Sequence, residues 1–176
     1  MSENATDTGT DAPKEPTNLC CYVLMRTDMP SLGVGKGQAH AHHAGSHLTH
    51  ELFVKPLLKG EAVPQDVIDW HAQGGGFGTC LAVGGRDQIT LKVLQAVTEA
   101  ASALGHHAGL VVDGSYPHFV DEEVLGLIDA TRFTLKPKRV RGGAMIFRSE
   151  TTCGWVLGDK EALEVILRRF DLVPND

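Results

Sequence analysis

One unbroken apolar run, Leu19-Cys-Cys-Tyr-Val-Leu-Met25, constrains the fold of this chain more than any other stretch. A strand that is apolar at every position, and not at every second one, has to be covered on both faces. That is the situation of a central strand between two layers of helices. Arg26-Thr27-Asp28 ends the run, and residues 34–50 follow with Gly35-Lys-Gly-Gln38 and an Ala-rich segment carrying five histidines. An apolar strand, a Gly/Lys loop and a helix of small residues together present polar groups at a sheet edge. The glycines let backbone approach an anion closely, and the N–H groups of the opening helical turn attract it.

The same alternation continues along the chain. Residues 38–54 read as a helix stopped before Pro56, with Ala41, Ala44, Leu48 and Leu52 on its packing face. Residues 64–73 form a second short helix with Val67, Ile68 and Trp70 as candidate core, and Gly74-Gly-Gly-Phe-Gly78 breaks the chain. Thr79–Val83 is the next strand, closed by a turn at Gly84-Gly85. Asp87 caps a long helix to about Leu104, with Leu91, Val93, Leu94, Val97 and Ala101 inward and Gly105 at its end. Gly109–Asp113 is a third strand, 121–130 a helix, and 134–148 a strand pair around Gly142-Gly143. Thr151–Leu157 is the last strand and 159–170 the last helix. Strands alternating with helices predict an α/β fold, a three-layer α/β/α arrangement around a small mixed β-sheet.

At 176 residues and 42% hydrophobic content, the chain suits one well-buried domain. Residues 1–17 hold Glu3, Asp7, Asp11 and Glu15 against Lys14 and almost no large apolar side chain, so a disordered polar tail is expected there, with the domain at 18–176. The tail lacks the basic start and apolar core of a signal peptide, and no run approaches the roughly 20 apolar residues of a membrane span. Net charge is −6, which excludes a protein basic all over. Cys20, Cys21, Cys80 and Cys153 fit neither a disulfide framework nor a C-x-x-C site, and read as buried reduced thiols of a cytoplasmic protein.

Three groups of residues carry chemistry. Asp113 closes a strand beside Gly114-Ser115, where open α/β sheets bind ligands; it either orients a water or base, or caps a turn through its own backbone. His40, His43, His47 and His50 fall on one helical stripe, with His42 pointing elsewhere. Such a stripe faces a polar substrate, holds a metal through the His43/His47 pair, or is a solvated face; no carboxylate nearer than Glu51 completes a metal site. Lys136, Lys138, Arg139 and Arg141, beside Arg148, make a basic run suited to phosphates, or a solvated loop.

Three blocks of sequence resemble the type-II peptidyl-tRNA hydrolases. They are Tyr22–Asp28 with Gly35-Lys-Gly-Gln38 and its helix, Gly109-Leu-Val-Val-Asp-Gly114, and Ser149–Gly158 with the helix Glu161–Phe170 and Asp171-Leu-Val173. The resemblance spans about 19–114 and 149–173, leaving about 120–148 as an insertion. It implies hydrolysis of the ester joining a peptide to tRNA, with tRNA as partner, no cofactor and no membrane, and leaves a homodimer open. It implies catalytic roles for Asp113, His42, Lys36 and Gln38; read from the residues themselves, Arg26, His40, His43, Ser115, Lys136, Lys138, Arg139 and Arg141 are the candidate substrate contacts. The family's second loop lysine is Gln38 here, its helix Gln falls at His42, the His three positions on falls at Gly45, and the Thr after its Asp is Pro117. The lost lysine and threonine favour the alternative of a non-catalytic tRNA- or nucleotide-binding relative; a metal-binding histidine helix is a third reading.

Overall fold

The structure, a computed structural model, describes residues 18–29, 34–76, 78–84 and 89–170. The tail at 1–17, Phe77, Gly85, Asp87 and Asp171–Val173 lie outside them.

Five strands form one mixed open sheet: β1 (Leu19–Met25), β2 (Cys80–Val83), β3 (His107–Asp121), β4 (Leu135–Val140) and β5 (Gly143–Asp159). The order is β2-β1-β5-β3; β1 and β2 are parallel, and every other pairing is antiparallel. Parallel neighbours need a crossover, and here it consists of α1 (Val34–Thr49), α2 (Lys55–Lys59) and α3 (Gln65–Ala72). Among the described residues, α4 (Leu91–Ala103), α5 (Glu122–Leu127) and α6 (Lys160–Leu167) are the further α-helices.

β1 lies inside the sheet with helices on both faces, which accounts for its lack of polar alternation. Cys20, Tyr22 and Leu24 pack with Leu94, Val97 and Ala101 of α4 and Leu163 of α6. Cys21, Val23 and Met25 pack on the other side with Ala44 and Leu48 of α1 and Val67 and Trp70 of α3. Two cores separated by one sheet make the three-layer α/β/α arrangement. No helix among the described residues is long and apolar enough to cross a membrane.

The first helical segment does not stop before Pro56. After α1 the chain makes a π-helical turn over 50–54 and continues as α2 through Lys59. The Lys55 N–H bonds the carbonyl of His50, five residues back, and this wider turn precedes the proline. Pro56 then sits in the first turn of α2, where its missing N–H is not needed. The long helix after β2 begins at Leu91, not near Asp87: the Thr90 hydroxyl accepts from the Val93 N–H and caps it. The helix ends at Ala103 with Leu104 as its C-terminal cap, and Gly105, with φ of +84°, follows.

Three packing expectations change. Ile68 is 44% exposed, because α3 is short and buries only the stripe of Val67 and Trp70. Ala41 is exposed and borders a cavity between α1 and α3. Cys80 is exposed, because β2 is an edge strand, while Cys20, Cys21 and Cys153 are buried. Gly78 combines a φ of +68° with a close approach: a Cβ there would stand 2.3 Å from the Trp70 ring.

The third strand extends well past Asp113. β3 and β5 form a long ladder, and residues 120–148 are its distal half together with α5 and β4. The strand pair around Gly142-Gly143 is the β4–β5 hairpin, turning at Arg141-Gly142.

Candidate functional site

β3 is interrupted between Asp113 and Tyr116. Asp113 is opposite Glu150 and Tyr116 opposite Arg148, so three steps on β3 match two on β5 and the strand bulges. The bulge frees Gly114 and Ser115 from the ladder. Asp113 Oδ1 accepts from the Ser115 N–H at 2.9 Å, the self-capping contact open to an aspartate in such a turn. Its other oxygen, Oδ2, carries no hydrogen bond among the described residues.

Tyr116 is buried, and three side chains surround its ring. Lys36 Nζ stands 4.8 Å from the ring centroid, the His40 ring 5.7 Å, and the His118 ring 5.1 Å in a T-shaped arrangement. A lysine over an aromatic face is held by the ring's negative quadrupole. Lys36 and His40 are four residues apart on α1, so the helical period puts both over the bulge.

His40 is the unusual member. Only 2% of it is exposed, and its Nδ1 is a buried side-chain nitrogen without a hydrogen-bond partner among the described residues. Burial pushes its imidazole below the ordinary value; His43 and Lys36 push the same way, and the negative charge of Asp113 opposes them. His40 is therefore neutral at pH 7, with a nitrogen lone pair or N–H left unsatisfied in a polar corner.

Beside this corner runs a chain of charges. Arg26 Nε and Nη2 donate to both oxygens of Asp28, at 2.8 and 3.0 Å, while Nη1 donates to Glu150 Oε1 at 2.6 Å and to the Thr151 carbonyl at 2.7 Å. Arg148 donates to Glu150 Oε2 at 3.1 Å and to His118 Nε2 at 3.2 Å. His118 accepts there as a neutral ring; burial and then the Arg148 charge lower its pKa. Asp28 holds the Arg26 guanidinium charged, and Arg26 in turn lowers the Asp28 carboxyl.

The structure thus brings Lys36, His40, Asp113 and Ser115 together and separates the other candidates from them. Arg26 is not a free phosphate anchor: it is buried and its donors tie the end of β1 to β5. Gln38 and His42 are both exposed and lie about half a helical turn from Lys36 and His40, on the far side of α1. His42 borders a shallow hollow there with Ala41, Ser46 and His50.

The histidine stripe divides. His40 and His47 face the sheet, His47 Nδ1 accepting from Trp155 Nε1 at 3.0 Å, while His43 and His50 are exposed. The π turn begins at His50 and shifts its phase away from the stripe. Among the described residues no group of three or more His, Cys, Asp or Glu is arranged to hold a metal ion. Lys136, Lys138, Arg139 and Arg141 are all exposed on β4 or its turn. Lys138 is opposite Met145 and Arg139 opposite Ala144, so these neighbours leave on opposite faces, and the run does not present one flat basic face. Arg139 also pairs with Glu122 at 3.5 Å.

Tyr116, His118 and Glu150 were not among the sequence candidates. Their signal is the strand period of two: Tyr116 and His118 on β3, Arg148 and Glu150 on β5, each pair on one face. No protein-family model matches the chain, and no curated protein shows significant similarity to it.

Proposed function

We propose that this chain hydrolyses the ester bond of peptidyl-tRNA or of a closely related acyl-tRNA. The observation that carries the reading is the convergence of Lys36, Asp113 and a buried, neutral His40 with an unpartnered Nδ1. Ester hydrolysis needs a positioned water, a group to take its proton, and positive charge where the carbonyl oxygen becomes negative. In this reading a water lies between Asp113 Oδ2 and His40 Nδ1. Asp113 orients it, and the neutral imidazole takes its proton as it attacks the carbonyl. Lys36, steadied on the Tyr116 ring, faces the developing oxyanion. The exposed cations of β4 meet the tRNA phosphates, a contact that needs charge and little sequence readout. In this reading the protein works in the cytoplasm.

A second reading, a non-catalytic tRNA-binding protein, is favoured by two observations. Asp113 Oδ1 is already engaged by the Ser115 N–H, and Gln38 and His42 stand across α1 from it. An assay on N-acetylated aminoacyl-tRNA, run with and without chelator, separates the two. Release of the acyl amino acid that survives chelation and falls in Asp113→Asn supports the hydrolase. Saturable tRNA binding with no release supports the second reading.

A further inference from the structure

Cys21 and Cys80 occupy registered positions on the parallel strands β1 and β2. Their side chains therefore leave on the same face of the sheet, from backbones about 4.8 Å apart. That separation is within the range that disulfide-linked residues span. Both thiols are free, and their settings differ: Cys21 is buried, and Cys80 is exposed on the edge strand. Both border one cavity of about 680 Å³, whose walls include Val23, Leu48, Phe53 and Trp70.

The sulfurs also interact. The proximity of the two thiols favours the charged form of Cys80, below its ordinary value, and pushes Cys21 well up, burial adding to the latter. Burial pushes Cys20 and Cys153 each up to about 11. One sulfur of the four is thus both reachable and favoured as thiolate, and its neighbour is a second thiol.

We propose that Cys80 and Cys21 form a reversible dithiol–disulfide pair that exchanges with small disulfides bearing apolar substituents, admitted by this cavity. The Cys80 thiolate attacks one sulfur of the small disulfide; a mixed disulfide forms and the first small thiolate leaves. Cys21 gives up its proton and attacks the Cys80 sulfur, releasing the second small thiolate and closing the Cys21–Cys80 bond. The protein loses two electrons and the small disulfide gains them; the Cys21 proton passes to one released thiolate, and the other takes its proton from water. The apolar walls select the substituent. The pair is independent of the ester-hydrolysis reading, since it lies between α1 and α3 and shares no residue with the Lys36–His40–Asp113 corner.

Dithiodipyridine, an apolar aromatic disulfide with a coloured product, is the probe. The folded wild type should release about two equivalents of thiopyridone, and peptide mapping without reductant should link the Cys21 and Cys80 peptides. Cys21→Ser should release about one equivalent and keep a pyridyl adduct on Cys80. Cys80→Ser should react at least tenfold more slowly. A wild type that retains the adduct on Cys80, or whose thiopyridone comes from Cys20 or Cys153, overturns the proposal. So does a Cys80→Ser protein reacting as fast as wild type. Should Cys21→Ser unfold, the wild-type peptide map decides alone.

Discussion

Replacing Arg26 with alanine tests whether this residue is a structural tie or a ligand anchor. The fork to Asp28 and the two contacts of Nη1 with Glu150 and Thr151 would be lost together. The Arg26 and Glu150 side chains are only 10% and 15% exposed, so the pair is far from the solvent-exposed limit, where such contacts contribute about 0–1 kcal/mol. Removing one partner of a buried pair costs about 3–5 kcal/mol. Glu150 keeps Arg148 at 3.1 Å, and Asp28, 27% exposed, can be hydrated, which puts the loss at the low end, about 3 kcal/mol. For a chain of this size that lowers Tm by roughly 6–12 °C. The depressed carboxyl of Asp28 sets the pH dependence. Its contribution is complete above the ordinary value of 3.8 and is lost as pH falls through the lower folded value. The gap between wild type and Arg26→Ala should therefore be full at neutral pH and narrow below about pH 3.8. Urea titrations across that range provide the measurement. A loss under about 1 kcal/mol, or a variant of unchanged stability that binds tRNA with a shallower salt slope, would refute the reasoning and return Arg26 to the phosphate anchors.

Asp113→Asn keeps an oxygen for the Ser115 N–H, so Tm should hold while acyl-tRNA turnover falls roughly a hundredfold; equal turnover removes Asp113 from the mechanism. His40 has a lowered folded value, so the unfolded chain takes up a proton first and stability declines as pH drops through 6.5. His40→Leu should flatten that decline, leaving the part due to His118, in thermal melts at pH 7 and pH 5; an unchanged acid limb would show that His40 titrates normally. Changing Lys136, Lys138, Arg139 and Arg141 to Gln should lower the slope of log affinity for tRNA against log salt by about 0.7–0.9 per lost phosphate contact, with kcat hardly altered. Because Lys138 and Arg139 leave on opposite faces, their single variants should differ; equal effects would mean that the duplex does not lie on one side of β4.

The layered architecture was legible because β1 has no polar alternation, and only a strand covered twice reads that way. Local signals failed where a neighbour outside the window decided the outcome. Pro56 reads as a helix stop unless a π turn precedes it, and nothing in the composition of 50–54 announces one. Asp87 and Thr90 are both fair caps by residue type, and only the structure shows the Thr90 hydroxyl receiving the Val93 N–H. At the site, Lys36, His40 and Asp113 could be chosen because each sits where the sequence reads as a strand end or the early turns of a helix, although β3 in fact runs on to Asp121. Their surroundings could not. Tyr116, His118, Arg148 and Glu150 form a period-two pattern, but the bulge after Asp113 breaks that period where it begins. His40 and His47 look like their exposed neighbours in sequence. What covers them is Tyr116 and Trp155, burying His40 and partly burying His47, and the Trp155 partner of His47 is 108 positions away along the chain.

β5 imposes an order on synthesis. Its C-terminal half zips to β1 from Leu19↔Asp159 through Met25↔Cys153, its N-terminal half pairs with β4, and β3 lines its other edge throughout. β1 therefore leaves the ribosome with one lateral neighbour, β2, on a parallel pairing, and its other hydrogen-bonding edge stays open until residues 153–159 are made. A strand as apolar as β1, waiting with an unfilled edge, is a hazard for intermolecular pairing in the interval. Closure of the sheet is a late, long-range event, and contacts of such sequence separation slow folding. Chains truncated before β5 should consequently be held by chaperones or aggregate. In the finished protein, the amides of 153–157 should be the last to exchange with deuterium, since that segment is flanked by a strand on each side and by helices above and below.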